Sequence, residues 1–241
     1  MTEESRRDLL RFETLSERLI SDVESRNNAQ PVKSTAWPTV AHIAAHVTSI
    51  YTWVSVIIES GERVERVEVP LAKPALDLRR ARDDLAERLQ ADDVDCWVLG
   101  GSTGTTAFWR RRMVLETMKH LLDVRTTPDD QFAVPRELDA ELAVDGIDEF
   151  FAVFLAHSRS TLAPLPGGLR IIATDADRSW HITPDWHVDD GEQADSQVEA
   201  TAAALLLLLW ERADALEERD RFTVSGDESI VQALMTSPIH R

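Results

Sequence analysis

The sequence predicts an α+β protein, in which an all-helical N-terminal part is followed by a smaller part that mixes strands and helices. Apolar residues recur at helical spacing through the first two thirds of the 241-residue chain. A linker-like segment rich in proline and glycine then lies between Pro164 and Gly168. Beyond it, short apolar runs alternate with turn residues, which is typical of strands. We therefore expect one domain over residues 1–160 and another over residues 161–241.

The N-terminal domain is expected to be a bundle of amphipathic helices. In the first helix, apolar residues from Leu9 to Val23 recur at helical spacing with charges between them. Gly61 is expected to stop the second helix, because glycine is common just past a helix end. The third helix should carry salt bridges on its exposed face. The predicted helices span residues 3–27, 38–60, 74–90, 105 or 106 to 124, and 135–158.

The C-terminal domain is expected to contain a small sheet. The segments LRIIATD, SWHITPD, DSQVEAT and FTVSGD are typical of short strands bounded by turn residues. Residues 202–215 are too long and too rich in leucine for such a strand, so they predict a buried helix. Residues 228–235 predict a closing helix.

Composition excludes several classes of protein. Lys and Arg total 26 against 43 Asp and Glu, and the formal net charge of -17 argues against binding to nucleic acid. The longest purely apolar run, residues 202–210, is far shorter than the roughly 20 residues that cross a bilayer, and the N-terminus lacks the features of a secretory signal. The single cysteine allows no internal disulfide and no cysteine-rich zinc site. We expect a cytoplasmic protein that contacts neither membrane nor nucleic acid.

Three residues on two predicted helices suggest a metal site. Glu116 and His120 are four residues apart, so both project from one face of the fourth helix. His46 follows an alanine-rich stretch of the second helix, where a neighbouring helix can approach closely. Two histidines and a glutamate suit zinc or a similar divalent ion, and they leave a position open for water or a thiol. The alternative is that Glu116 and His120 form an exposed helical ion pair.

Other conspicuous residues are weaker candidates. Cys96 has no base at a recognisable spacing and is expected to be a packing residue. The loop from Gly100 to Gly104 lacks the lysine and hydroxyl residue of a phosphate-binding loop and is expected to be a simple connection. His181 and His187 flank Trp186, and they are either pocket residues or ordinary residues on the face of the sheet.

Two motifs of the predicted bundle resemble a known family. The segment WPTVAHIAAHV, which starts at Trp37, resembles the start of the second helix in the mycothiol-dependent maleylpyruvate isomerase family, a branch of the DinB-like metalloenzymes. The segment RMVLETMKHLLD, from Arg112 to Asp123, resembles that family's R-x-x-x-E-x-x-x-H-x-x-D helix. The resemblance implies a DinB-like four-helix bundle with His46, Glu116 and His120 as metal ligands.

The resemblance extends into the C-terminal domain, which is similar to the family's small domain of sterol-carrier type. In the family an arginine at the end of the leucine-rich helix is required for activity, and it corresponds to Arg212. Two positions differ from the family pattern. Glu211 replaces the usual glycine before this arginine, and His42 replaces a polar residue in the first motif. His42 is an alternative ligand, a base near the metal or an exposed histidine, and we favour the exposed histidine.

The resemblance also implies a chemistry. The enzyme would use mycothiol, the small thiol of actinobacteria, and the metal would lower the pKa of the thiol so that sulfur attacks a small electrophile. The outcome is either S-transfer or cis–trans isomerisation, and we favour the transferase class. Arg212 would orient a carboxylate of the substrate or the thiol cofactor. Two other functions remain open: a DinB-like hydrolase that uses metal-activated water, and a non-catalytic carrier of a small ligand. The sequence gives no oligomeric state.

Overall fold

The computed structural model describes residues 1–34, 36–68, 72–101 and 103–239. The chain forms two compact units, Met1–Ala133 and Val134–Arg241. The α+β class is confirmed, because the first unit is mainly helical and the second contains a sheet. The units divide earlier along the chain than the expected residue 160, because the helix predicted over 135–158 packs on the leucine-rich helix of the second unit.

Four helices build the described part of the first unit, as predicted. They are α1 (Glu3–Ser25), α2 (Val40–Ser60), α3 (Pro74–Gln90) and α4 (Thr106–Arg125). α1 packs mainly on α4, and α2 packs mainly on α3. Gly61 ends α2 with a φ of 74°, a conformation that glycine adopts without the steric cost of a side chain.

The face of α3 that was expected to carry salt bridges does so. The Arg79 guanidinium lies 3.0 Å from the Glu17 carboxylate and 3.1 Å from that of Glu24, both on α1. Arg82 adds a contact of 2.8 Å to Glu17. These pairs link α1 to α3 at the surface, where each ion pair by itself contributes little to the stability of the fold.

α4 lies at the centre of the bundle. Every residue from Met113 to Val124 is buried, although this stretch includes Glu116, Lys119, His120 and Asp123. Buried charges are costly unless they are paired. The burial of these groups therefore requires specific partners inside the bundle.

α2 is long and apolar enough to span a membrane by length and composition, although polar residues interrupt its apolar stretches. In its most apolar window, 67% of the residues are buried inside the protein. Buried residues such as Ile43, Val47, Val54 and Ile57 face the bundle. This extent of burial is typical of a core helix.

A short hairpin before α4 was not predicted. β1 (Asp95–Trp97) pairs with β2 (Thr103–Thr105) in antiparallel orientation, and strands of three residues are too short to show an alternating pattern. Gly100 and Gly101 adopt φ values of 91° and 81° in the connection between them. The expectation of a simple connection holds for Gly100 and Gly101, whereas Thr103 and Gly104 belong to β2 and Ser102 lies outside the described residues.

The second unit begins with a helix that changes its hydrogen-bonding pattern along its length. α5 (Ala140–Glu149) starts where the Asp139 carboxylate accepts a hydrogen bond of 2.8 Å from the Leu142 amide, later than the predicted residue 135. It continues as a π-helix over Phe150–Leu155 and as the short α6 (Ala156–Ser158). A 3-10 turn over Arg159–Thr161 ends this segment.

A five-stranded sheet follows, in the order β5-β4-β3-β6-β7. Four of its strands were predicted: β3 (Leu169–Ala173), β4 (Arg178–Ile182), β6 (Ser196–Ala200) and β7 (Thr223–Gly226). The two-residue β5 (Val188–Asp189) was not predicted. β3 and β6 are parallel, and the other pairs are antiparallel. α7 (Ala202–Leu209) is buried along its whole length, and α8 (Glu228–Thr236) closes the unit.

α7 is shorter than the predicted span of 202–215. The Arg212 amide donates to the Leu207 carbonyl over 2.7 Å, and the Glu211 amide donates to the Leu208 carbonyl over 3.0 Å. Glu211 has a φ of 62°. This is the Schellman arrangement that ends helices, and its left-handed position is usually glycine. The departure from the family pattern at Glu211 therefore falls on a backbone position that favours glycine.

Candidate metal centre

The three side chains expected to bind a metal lie together inside the bundle. The candidate ligand atoms of His46, Glu116 and His120 all lie within 4.8 Å of one another. Glu116 Oε1 is 3.4 Å from His46 Nε2 and 3.1 Å from His120 Nε2. The exposed fractions of the three residues are 7%, 5% and 0%. The alternative of an exposed ion pair is therefore wrong.

Packing of α2 against α4 sets this geometry. Glu116 and His120 project from the same face of α4, and His46 projects from α2 towards them. The Tyr51 hydroxyl lies 2.6 Å from Thr117 Oγ1, and both groups are fully buried. This contact joins the two helices next to the cluster. Burial raises the pKa of Tyr51, so its hydroxyl stays neutral.

Trp37 covers the two histidines from the segment before α2. Its ring centroid lies 3.9 Å from that of His46 at an interplanar angle of 33°. The same ring meets His120 edge-on at 5.0 Å and 87°. These contacts restrict the orientation of both imidazoles. The sequence motif began with Trp37, but its spacing alone did not reveal this role.

Two further residues of the α4 motif hold the predicted ligands. Asp123 Oδ2 lies 3.1 Å from His120 Nδ1, and the Arg112 guanidinium donates to Glu116 Oε2. Arg112, Glu116, His120 and Asp123 are all buried. Their spacing of four, four and three residues places them along one face of α4. That spacing was the available sequence signal for the roles of Arg112 and Asp123.

The electrostatics favour an ionised carboxylate beside a neutral imidazole. Burial by itself would raise the pKa of Glu116, but Arg112 and His120, together with hydrogen bonds from both histidines, hold that pKa well below its usual value. Burial lowers the pKa of His46, and the neighbouring His120 acts in the same direction. Contact with Glu116 opposes this shift only in part. Both groups are therefore in the protonation state that binds a cation.

His42 is not part of this cluster. It is exposed near the start of α2, and its Nδ1 atom lies 2.7 Å from Thr39 Oγ1. The favoured interpretation of His42 as an exposed histidine is confirmed.

Arg212 belongs to the second unit, directly after the Schellman turn of α7. It is half-buried, and its guanidinium donates to the Trp210 carbonyl at the end of its own helix. Its expected role in activity stays a prediction.

The remaining candidate residues, Cys96, His181 and His187, are not part of this cluster. Cys96 is buried in β1, where burial raises the pKa of its thiol, in agreement with a packing role. His181 Nδ1 lies 2.6 Å from Asp189 Oδ1 across the pair of strands β4 and β5. His187 follows Trp186 in the turn before β5 and lines a cavity of the second unit.

The fold and this cluster define a class: two-part α+β proteins whose helical bundle carries a buried set of two histidines and a glutamate. The family described as the mycothiol maleylpyruvate isomerase N-terminal domain matches residues 10–125. The corresponding C-terminal domain family matches residues 141–233. The chain therefore belongs to the mycothiol-dependent maleylpyruvate isomerase family.

Solved structures show the same fold. A histidine-to-alanine mutant of the mycothiol-dependent maleylpyruvate isomerase matches with a TM-score of 0.61 at 13% identity, covering 94% of this chain and 97% of that chain. A second structure of the mycothiol-dependent maleylpyruvate isomerase matches with a TM-score of 0.57 at the same identity and coverage. No curated protein sequence matches this chain at a significant level.

Proposed function

We propose that this chain is a divalent-metal enzyme that uses mycothiol as cosubstrate on a small electrophile. The reaction is transfer of the thiol sulfur or a thiol-assisted cis–trans isomerisation. Membership in the family supports the use of mycothiol. The proposal depends above all on one observation: three candidate ligand atoms lie within 4.8 Å of one another inside the bundle, and all three residues are buried.

The residues fit a divalent metal. Two imidazoles and one carboxylate are borderline ligands that suit zinc, and three protein ligands leave a position for a fourth group. Glu116 is held ionised and His46 neutral, which are the forms that donate electron pairs to a cation. We therefore assign His46, Glu116 and His120 as the ligands, with zinc as the preferred ion.

Neighbouring residues would hold these ligands in place. With a metal bound, Asp123 would accept the Nδ1 proton of His120, which would leave the Nε2 lone pair for the metal beside His46 and Glu116. Arg112 holds one Glu116 oxygen and leaves the other between the two histidines. When bound, a divalent ion would supply a Lewis acid that lowers the pKa of a thiol at neutral pH. Pre-oriented ligands of this kind bind metal more tightly.

The chain itself offers no suitable nucleophilic sulfur. Cys96 is its single cysteine, and that thiol is buried with a raised pKa. The reactive sulfur must therefore arrive with a cosubstrate, as mycothiol would provide. We further propose that Arg212 pairs with an anionic group of the substrate or cosubstrate, and that the protein works in the cytoplasm of an actinobacterium.

An assay with and without mycothiol tests the proposal. Purified zinc-loaded protein is given a panel of electrophiles, with one arm that detects S-conjugates and one that detects isomerised products. We expect turnover only when mycothiol is present, and its loss in His46→Ala. Equal turnover without mycothiol would favour a hydrolase and contradict the proposal. The His42→Ala variant is the matched control, because His42 lies on the same helix but outside the cluster.

A further inference from the structure

A cavity of about 630 Å³ lies within the second unit, among residues that the proposed function does not use. One wall is the segment that runs from α5 through the π-helix to the 3-10 turn. The other wall is formed by β4, β5 and the turn that joins them. A cavity of this size is in the range that binds small organic molecules.

The helical wall is apolar in its middle and polar at its ends. Phe151, Ala152, Leu155 and Ala156 line the middle, and the two alanines leave room for a ligand. Three of these four residues belong to the π-helix over Phe150–Leu155. π-helical segments are rare and occur frequently at functional sites.

The opposite wall presents two tryptophans. Trp180 on β4 and Trp186 in the following turn are both buried and line the cavity. Trp186 has a φ of 65°, which is costly for a bulky side chain. Its amide donates to the Thr183 carbonyl over 2.9 Å, in a turn position where glycine is usual. The buried indole ring, whose Nε1 donates to the Ala163 carbonyl over 2.7 Å, holds this strained residue in the wall. Strained residues of this kind cluster at ligand sites.

Two polar pairs connect the walls. Near one end of the helical segment, the Arg178 guanidinium lies 2.7 Å from the Asp148 carboxylate, which also accepts a bond of 2.8 Å from the Trp180 indole. At the other end, Arg159 Nη1 donates to His187 Nδ1 over 2.9 Å. An arginine can only donate, so Nδ1 of His187 is the acceptor in this contact.

Arg159 is the cation available to a ligand. Arg178 pairs with Asp148, whereas Arg159 has no carboxylate within ion-pair distance among the residues that the structure describes. Together with a hydrogen bond from Thr183, the charge of Arg159 helps to lower the pKa of Asp185. An exposed guanidinium keeps several donors in a planar fork that matches a carboxylate. Asp189 and Asp190 also line the cavity, and their charge would repel a polyanion such as a phosphate ester more strongly than a single carboxylate that pairs with Arg159.

We propose that this cavity binds a small organic monocarboxylate with an apolar body, which lies along the surface formed by Trp180, Trp186 and Phe151 while its carboxylate pairs with Arg159. Phe151 and Trp180 pack on each other, with ring centroids 6.2 Å apart, so the ligand lies against these rings. The site uses none of the residues of the His46, Glu116 and His120 cluster and does not depend on the proposed function. The aromatic residues supply the apolar contact, and Arg159 selects the charge of the head group.

Calorimetric titration of the full chain with three naphthalene probes tests this site. The probes share one aromatic body and carry a carboxylate (1-naphthoate), a neutral alcohol (1-naphthalenemethanol) or an ammonium group (1-naphthylmethylammonium). We expect saturable 1:1 binding of 1-naphthoate, stronger than that of either other probe. Arg159→Gln should weaken naphthoate binding about tenfold or more, since it removes a charge-assisted hydrogen bond, and leave the alcohol unchanged.

Two control variants establish whether naphthoate binds in this cavity through Arg159. Arg219→Gln removes another exposed arginine of the same unit, which pairs with Glu228 and does not line the cavity, and it should leave naphthoate binding unchanged. His46→Ala should also leave it unchanged, so the result is independent of the metal centre. Tighter binding of the ammonium probe, equal binding in Arg159→Gln, or loss of binding in His46→Ala would each overturn the inference.

Discussion

The Nδ1 atom of His120 lies 3.1 Å from Oδ2 of Asp123, one turn further along α4, and both side chains have no exposed surface. This contact restrains the ring orientation of a proposed ligand, and a proton on Nδ1 would leave Nε2 for a metal. Removing the charge of the partner while keeping its shape therefore tests whether the pair supports metal binding.

Asp123→Asn is expected to weaken zinc binding by about 10- to 100-fold, because the buried carboxylate orients His120 and increases its basicity. Competition with a chromophoric zinc chelator measures the affinity. Asp84→Asn on α3 is the matched control, since Asp84 is exposed and contacts only Arg88 among the described residues. Equal zinc affinity in Asp123→Asn and wild type would contradict the role of the pair.

His46→Ala, Glu116→Ala and His120→Ala are each expected to abolish metal retention, because each removes one of three protein ligands. Elemental analysis of protein purified without added metal gives the metal content, which should be about one divalent ion per wild-type chain. His42→Ala should keep the wild-type content. A loss in His42→Ala equal to that in His46→Ala would show that the wrong histidine is assigned.

Arg212→Lys and Arg212→Ala are both expected to lower mycothiol-dependent turnover at unchanged metal content. Lysine keeps the charge but cannot reproduce the planar fork that pairs with an anionic group. The alternative is that Arg212 serves only its helix end, where its guanidinium donates to the Trp210 carbonyl. Turnover, metal content and Tm of both variants separate the two roles. Wild-type turnover in Arg212→Ala would remove this residue from the site.

Glu211→Gly is expected to stabilise the second unit by about 0.5–1 kcal/mol, because Glu211 has a φ of 62° and glycine adopts this conformation without a steric penalty. Denaturant unfolding monitored by circular dichroism measures the change. Glu217→Gly on the nearby surface is the control variant, and it should not increase the free energy of unfolding. A destabilised Glu211→Gly would mean that contacts of the Glu211 side chain outweigh its backbone strain.

The salt bridges between α1 and α3 are expected to make stability depend on pH in acid. Hydrogen bonding by Arg79 lowers the pKa of Glu17 below its ordinary value of 4.5. A lowered folded-state pKa stabilises the protein above the unfolded-state value, and this contribution disappears as the pH falls through the folded-state value. Glu17→Gln should therefore lower the free energy of unfolding by less than about 1 kcal/mol at pH 7, because the ion pair is exposed. Near pH 2 the substitution should not change the free energy of unfolding. A cost that is independent of pH would exclude the charge as its cause.

Local sequence patterns account for most of the helices and for two of the three proposed metal ligands. Apolar periodicity placed α1 and α3, whereas residues that start and stop helices bounded α2 and α4. Gly61 marked the end of α2, where its position needs a left-handed backbone. The spacing of Glu116 and His120 placed both on one helical face. The sequence could not place β1, β2 and β5, because strands of two or three residues show no periodicity.

By itself, the sequence determined the family, the α+β class and the position of Glu116 and His120 on one helical face, since these depend on motifs and on periodicity along one segment. Only the tertiary structure decided which histidine of α2 faces Glu116, because that depends on how α2 packs on α4 beside the contact between Tyr51 and Thr117. It also decided that Trp37 stacks on His46 and that Arg159 meets His187, pairs that are separated along the chain. Such contacts depend on the packing of whole elements, which no local pattern encodes.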